Sequence, residues 1–145
     1  MSRIQIVIDT NVFVAALLSQ YGASFKLLML VDSKKFEVNL SVPLALEYED
    51  VGNRLLSQTK LTKSDFEDIL DYICTTSNHH EIYFLWRPFL KDPKDDMVLE
   101  LAVAAGSEYL VTFNEKDFVG AERFGIKIVK PKDFLKRSVN CNDNN

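Results

Sequence analysis

The stretch that most constrains this chain is Ile4-Gln5-Ile6-Val7-Ile8-Asp9-Thr10-Asn11. Its apolar run reads as a buried strand, and it stops abruptly at Asp9. The following residues, Val12 to Leu18, are apolar and helix-forming, so Thr10 or Asn11 is expected to cap a helix. Asp9 then lies between a strand end and a helix start, where open α/β sheets place their chemistry. A carboxylate there also has a plain use as a helix cap. Further acidic groups at comparable element ends are what give it a second meaning.

Strand and helix patterns alternate along the rest of the chain. Residues 23 to 33 repeat an apolar face through Phe25, Leu27, Leu28 and Val31, predicting a second helix. Phe36 to Leu40 reads as a strand, and Ser41-Val42-Pro43 as the entry to a helix carrying Leu44, Leu46, Val51, Leu55 and Leu56. Thr62 to Asp65 resembles a capping box ahead of Phe66, Ile69, Leu70 and Ile73. Thr75 to His80 is polar and reads as a loop, with His79 and His80 at the surface. Ile82 to Trp86 reads as a short strand or a packed connection. Asp92 suits an N-cap and Pro93 a first helical position, with Gly106 ending that helix. Tyr109 to Thr112 and Ile126 to Val129 read as strands, and Pro131 starts a short last helix. Residues 1–138 are expected to form a single domain and 139–145 a disordered tail, for a chain of 145 residues. Strands separated by helical segments imply an α/β fold with a mainly parallel sheet of about four to five strands.

The net charge of -4 argues against a polycation that coats nucleic acid. Cys74 and Cys141 make no C-x-x-C pair, and no apolar run approaches the ~20 residues of a membrane span. The N-terminus has no signal-peptide pattern. A cytoplasmic location is the expectation.

The acids of interest are Asp9, Glu47, Asp92, Asp95, Asp96 and Asp117. On this layout all lie at element ends or in first helical turns, on one edge of the sheet. Like charges about 4 Å apart repel by roughly 4 kcal/mol at an effective dielectric near 20. Such a cluster calls for a cation, and Mg2+ or Mn2+ suits hard oxygen ligands. Each acid also has an ordinary explanation. Asp92 and Asp95 suit the positive end of a helix, Glu47 could belong to a solvated face with Glu49 and Asp50, and Asp117 could be a turn residue.

The order of these acids resembles the PIN-domain family of compact α/β ribonucleases. The matching pieces are Val7 to Val12, Ser41 to Tyr48, Asp92 to Asp95 with its Ala-rich helix, and Tyr109 to Phe118. The resemblance runs from about Arg3 to Lys136 and is nearest to the VapC-like toxins of toxin–antitoxin systems. It implies a three-layer sandwich and a Mg2+- or Mn2+-dependent endoribonuclease leaving 5′-phosphate and 3′-hydroxyl ends. By the same resemblance Asp9, Glu47, Asp95 and Asp117 are the catalytic acids. Together with Asn114 they are the metal ligands, and Asn11, Thr112 and Asp96 support them. Asp95 is preferred to Asp96 by its spacing from Gly106. Asn114 stands where many members carry an acid, so a second metal is expected to bind more weakly.

Arg54, Arg87, Lys94 and Lys116 are the candidates for contact with RNA, with Lys60 and Lys91 beside them. Lys127, Lys130, Lys132, Lys136 and Arg137 form the densest basic run, read mostly as a solvated strand and helix. Phe13, Tyr48 and Phe118 are candidates for base stacking. Homodimerisation and an antitoxin that inserts a basic side chain into the cleft are further implications of the resemblance. The main alternative is a PIN-like module that binds RNA or protein without cutting, favoured by Asn114. A response-regulator phosphoacceptor ranks far lower, because Asp9 stands alone and no isolated strand-end Asp occurs mid-chain.

Overall fold

The computed structural model describes residues 3–82 and 89–137. It contains five strands in the order β3-β2-β1-β4-β5, all parallel. The strands are β1 (Ile4–Ile8), β2 (Phe36–Ser41), β3 (Asn78–His80), β4 (Tyr109–Val111) and β5 (Lys127–Val129). The helices are α1 (Thr10–Leu18), α2 (Ala23–Met29), α3 (Val42–Leu55), α4 (Lys63–Thr76), α5 (Pro93–Ala104) and α6 (Pro131–Leu135).

β1 is central because its side chains are apolar on both faces. Ile6, Val7 and Ile8 are all buried, as a parallel strand covered by helices on both sides requires. The chain steps outward from β1 to β2 and β3 on one side, and to β4 and β5 on the other. That reversal makes the C-terminal ends of β1 and β4 the switch point of the sheet, where such folds open a crevice. Register places Ile8 beside Val111, and the Asp9 amide donates to the Val111 carbonyl at 2.9 Å.

Two helices fix that edge. α1 buries Val12, Phe13, Ala16 and Leu17, and Phe13 stacks on Tyr48 of α3 with ring centroids 4.5 Å apart. The Tyr48 hydroxyl donates to the carbonyl of Ile8, tying α3 to the end of β1. α3 starts at Ser41, whose hydroxyl accepts from the Leu44 amide at 3.3 Å, with Pro43 in the first turn. It packs closely on α4 at Gly52, where an added Cβ would meet the Phe66 ring at 2.4 Å. α4 opens with the full capping box of Thr62 and Asp65.

Two elements differ from the sequence reading. The second helix ends at Met29, and Lys34, at φ 69°, turns the chain into β2. The polar stretch read as a loop instead contains β3, an edge strand. It is polar because its partners are polar: the Asn78 amide donates to Glu37 at 2.7 Å, and a His80 ring nitrogen lies 2.7 Å from Asn39 Oδ1. His80 is therefore half-buried and bonded, while His79 is exposed. The reading of Ile82 to Trp86 falls largely outside the described residues, as do the C-terminal tail, Cys141 and Arg87. No single helix among the described residues is long and apolar enough to cross a membrane.

Candidate active site

Asp9 is built into the switch point by three hydrogen bonds to its side chain. It N-caps α1, its Oδ1 accepting from the Thr10 amide at 2.8 Å. Its Oδ2 accepts from the Thr112 hydroxyl at 2.8 Å and the Asn11 amide at 3.3 Å. Thr112 directly follows β4 and is fully buried, so its hydroxyl serves as a hub. The hub donates to Asp9 and accepts from the Asn11 side chain at 3.2 Å and the Asn114 backbone amide at 3.0 Å. Asn11 closes the network by accepting from the Phe113 amide at 3.2 Å. Capping and the cleft use the same carboxylate.

A cleft of about 200 Å³ opens above this network, bordered by Asp9, Glu47, Asp95, Asn114 and Asp117, with Asp92 and Lys94 on its rim. Glu47 comes from the second turn of α3 rather than the first. Helical rotation turns it toward the cleft, while Glu49 and Asp50 face solvent. Asp95 lies in the first turn of α5. Asp96 is rotated away, and its Oδ1 accepts from the Leu90 amide at 2.8 Å and the Phe89 amide at 3.3 Å. Asp92 caps α5 through the Lys94 amide at 2.9 Å. Asp117 stands exposed in the 3₁₀ turn Glu115–Phe118.

The electrostatics are those of crowded carboxylates. Partial burial and then the charges of Asp9, Asp117, Asp92 and Asp96 push the Asp95 carboxyl up to about 6. Burial also raises Asp9. The Thr112 and Thr10 hydrogen bonds pull it back, and Glu47 and Asp117 add to the rise. One cation already answers part of this charge, since Lys94 Nζ lies 3.7 Å from Glu47.

The donor set suits a hard divalent ion: four carboxylates and one amide oxygen around a small polar cleft. Among the described residues no three His, Cys, Asp or Glu side chains are already gathered at ligand spacing.

A family model for the PIN domain matches residues 5–116, which carry Asp9, Glu47, Asp95 and Asn114. The chain belongs to the PIN domain family. No curated protein matches it significantly. PIN domains are in general nucleases, hydrolases that typically use divalent metal ions. The match stops at Lys116, one residue short of Asp117.

The PIN domain treats the remaining candidates unevenly. Arg54 pairs with Asp50 at 3.1 Å, one helical turn back, and does not border the cleft. Lys60 and Lys91 are exposed and also lie outside its lining. Phe13, Tyr48 and Phe118 are buried to 1% exposure or less, so none of these rings is offered to a base. The aromatic beside the cleft is instead Phe113, 44% exposed. Alternation does not signal it, since Leu110, Val111 and Thr112 just before it are all buried on the two covered faces of the sheet.

Proposed function

We propose that this PIN domain is a Mg2+- or Mn2+-dependent endoribonuclease that hydrolyses RNA to 5′-phosphate and 3′-hydroxyl ends. The observation that supports it most is the convergence of Asp9, Glu47, Asp95 and Asp117 on one cleft from well-separated parts of the chain. A folded protein does not need that arrangement, since it drives Asp95 up to about 6. A divalent ion held there supplies a Lewis acid that activates water and offsets charge on the phosphate and leaving oxygen.

The chain's own residues divide the remaining work. Asp9 is fixed by its three hydrogen bonds and defines the floor of the cleft. Glu47 and Asp95 reach the cleft from α3 and α5, and Asp117 and Asn114 border it beside them. Lys94, once released from Glu47, is placed to meet a phosphate oxygen at the rim. The carboxylates repel phosphate and so act on ions and water instead. The biological role we propose is the toxin of a toxin–antitoxin pair. It would act as a homodimer in the cytoplasm and be restrained by an antitoxin whose basic side chain enters the acidic cleft.

A second reading keeps the fold and loses the cutting. The Lys94–Glu47 pair and Asn114, an amide where an acid is expected, favour it. A mixed single-stranded RNA pool separates the two. Incubation with Mg2+ or Mn2+ is expected to give fragments that a 5′-phosphate-dependent exonuclease degrades, and EDTA is expected to prevent them. RNA binding with no fragments from the purified protein supports the binding module instead.

A further inference from the structure

We propose that Phe113, with Lys116 and Lys130, forms a base-stacking subsite for the nucleotide next to the cleaved phosphate. This rests on the ribonuclease reading and specifies its substrate as single-stranded RNA. A groove of about 290 Å³ is lined by Phe113, Asn114, Glu115, Lys116, Asp117 and Lys130. Asn114 and Asp117 also border the acidic cleft, so the two spaces adjoin. An RNA strand whose phosphate sits at the acids therefore has its neighbouring nucleotide beside the Phe113 ring.

The ring is held for this task. The Phe113 amide is bonded to Asn11 and the Asn114 amide to Thr112, the same two residues that fix Asp9. The backbone on both sides of the ring is thus locked to the catalytic acid, and little ordering remains when a base arrives. The contrast with Phe118 is instructive: in the same segment, Phe118 is 1% exposed and Phe113 44%. The groove's two ammonium groups are set against Glu115 and the shared Asp117, so net charge alone does not favour RNA there. Stacking gives the subsite its purpose, and Lys116 and Lys130 supply local contacts for the flanking phosphates. A base inside a duplex is already stacked on its neighbours and has no free face for the ring.

The test uses the whole protein and a single-stranded oligoribonucleotide whose cut position is first mapped. Phe113→Ala and Phe113→Leu are expected to raise KM about tenfold with kcat little changed, and Phe113→Trp to restore it. The Phe113→Trp variant should also lose fluorescence when the RNA binds. Replacing the base beside the cut with an abasic nucleotide should impose the same loss on the unaltered protein, and no further loss on Phe113→Ala. Full activity of Phe113→Ala and Phe113→Leu on intact RNA, or an undiminished Phe113→Ala defect on abasic RNA, overturns the subsite. If the unaltered protein binds RNA but does not cut it, the ribonuclease reading fails separately. Quenching in Phe113→Trp together with about tenfold weaker binding by Phe113→Ala then still supports stacking. Absence of quenching overturns it.

Discussion

Replacing Asp95 with Asn should make the protein more stable while removing its activity, and only above a certain pH. In the folded chain, burial and the neighbouring acids raise Asp95 from 3.8 to about 6. Between those values the folded state binds more protons than the unfolded state, so stability falls as pH rises through the window. The full shift of 6 − 3.8, or about 2 units, corresponds to about 3 kcal/mol at 1.36 kcal/mol per unit. Asp95 is only partly buried, and solvent screening reduces this to about 1 kcal/mol. Asn has the shape of the protonated acid, so Asp95→Asn should match the parent protein below about pH 4 and gain the increment above about pH 7. For a domain of this size that is a rise in Tm of about 3 °C. Thermal melts at the two pH values, without divalent ions, measure it. Adding Mn2+ should then raise the Tm of the parent protein more than that of the variant. A variant no more stable than its parent at high pH would refute the idea that the acids of this cleft repel one another.

Three further outcomes follow from the same contacts. Thr112→Val removes the hydroxyl that pulls Asp9 down against burial, so the acid limb of a pH–rate profile should move to higher pH, with Thr112→Ser restoring it. Gly52→Ala should destabilise the fold by about 1–3 kcal/mol in urea titrations, because its methyl group runs into the Phe66 ring at 2.4 Å. Tyr48→Phe leaves the Ile8 carbonyl without its hydroxyl partner and should cost about 1 kcal/mol of stability, read by the same titration.

Much of this arrangement is legible in the sequence because the signals are local. The run Ile4 to Ile8 ending in Asp9 announces a central strand with a carboxylate at its tip, and Ser41, Thr62 and Asp92 announce their helices by capping chemistry. What stayed hidden depends on partners far away in sequence. β3 has no apolar period, since Asn78 and His80 are held by Glu37 and Asn39 of the neighbouring strand. The exposure of Phe113 and the burial of Phe118 follow from how the strand end and the 3₁₀ turn sit on the core, which no spacing rule encodes. Asp95 and Asp96 differ by one helical step of about 100°, enough to send one to the cleft and the other to the Leu90 amide. The ion pair of Lys94 with Glu47 joins two helices that contact only in the folded chain.

The most direct test of the central claim is single-turnover RNA cleavage in saturating Mg2+ by Asp9→Asn, Glu47→Gln, Asp95→Asn and the double variant Asp9→Asn/Glu47→Gln. Asp50→Asn, on the solvent side of α3, serves as the control. If the acids act as one unit around a divalent ion, each cleft variant loses about a hundredfold or more, the double variant loses little beyond the worse single one, and the control keeps its rate. Full activity in any one cleft variant, or losses that multiply in the double variant, would contradict the shared site.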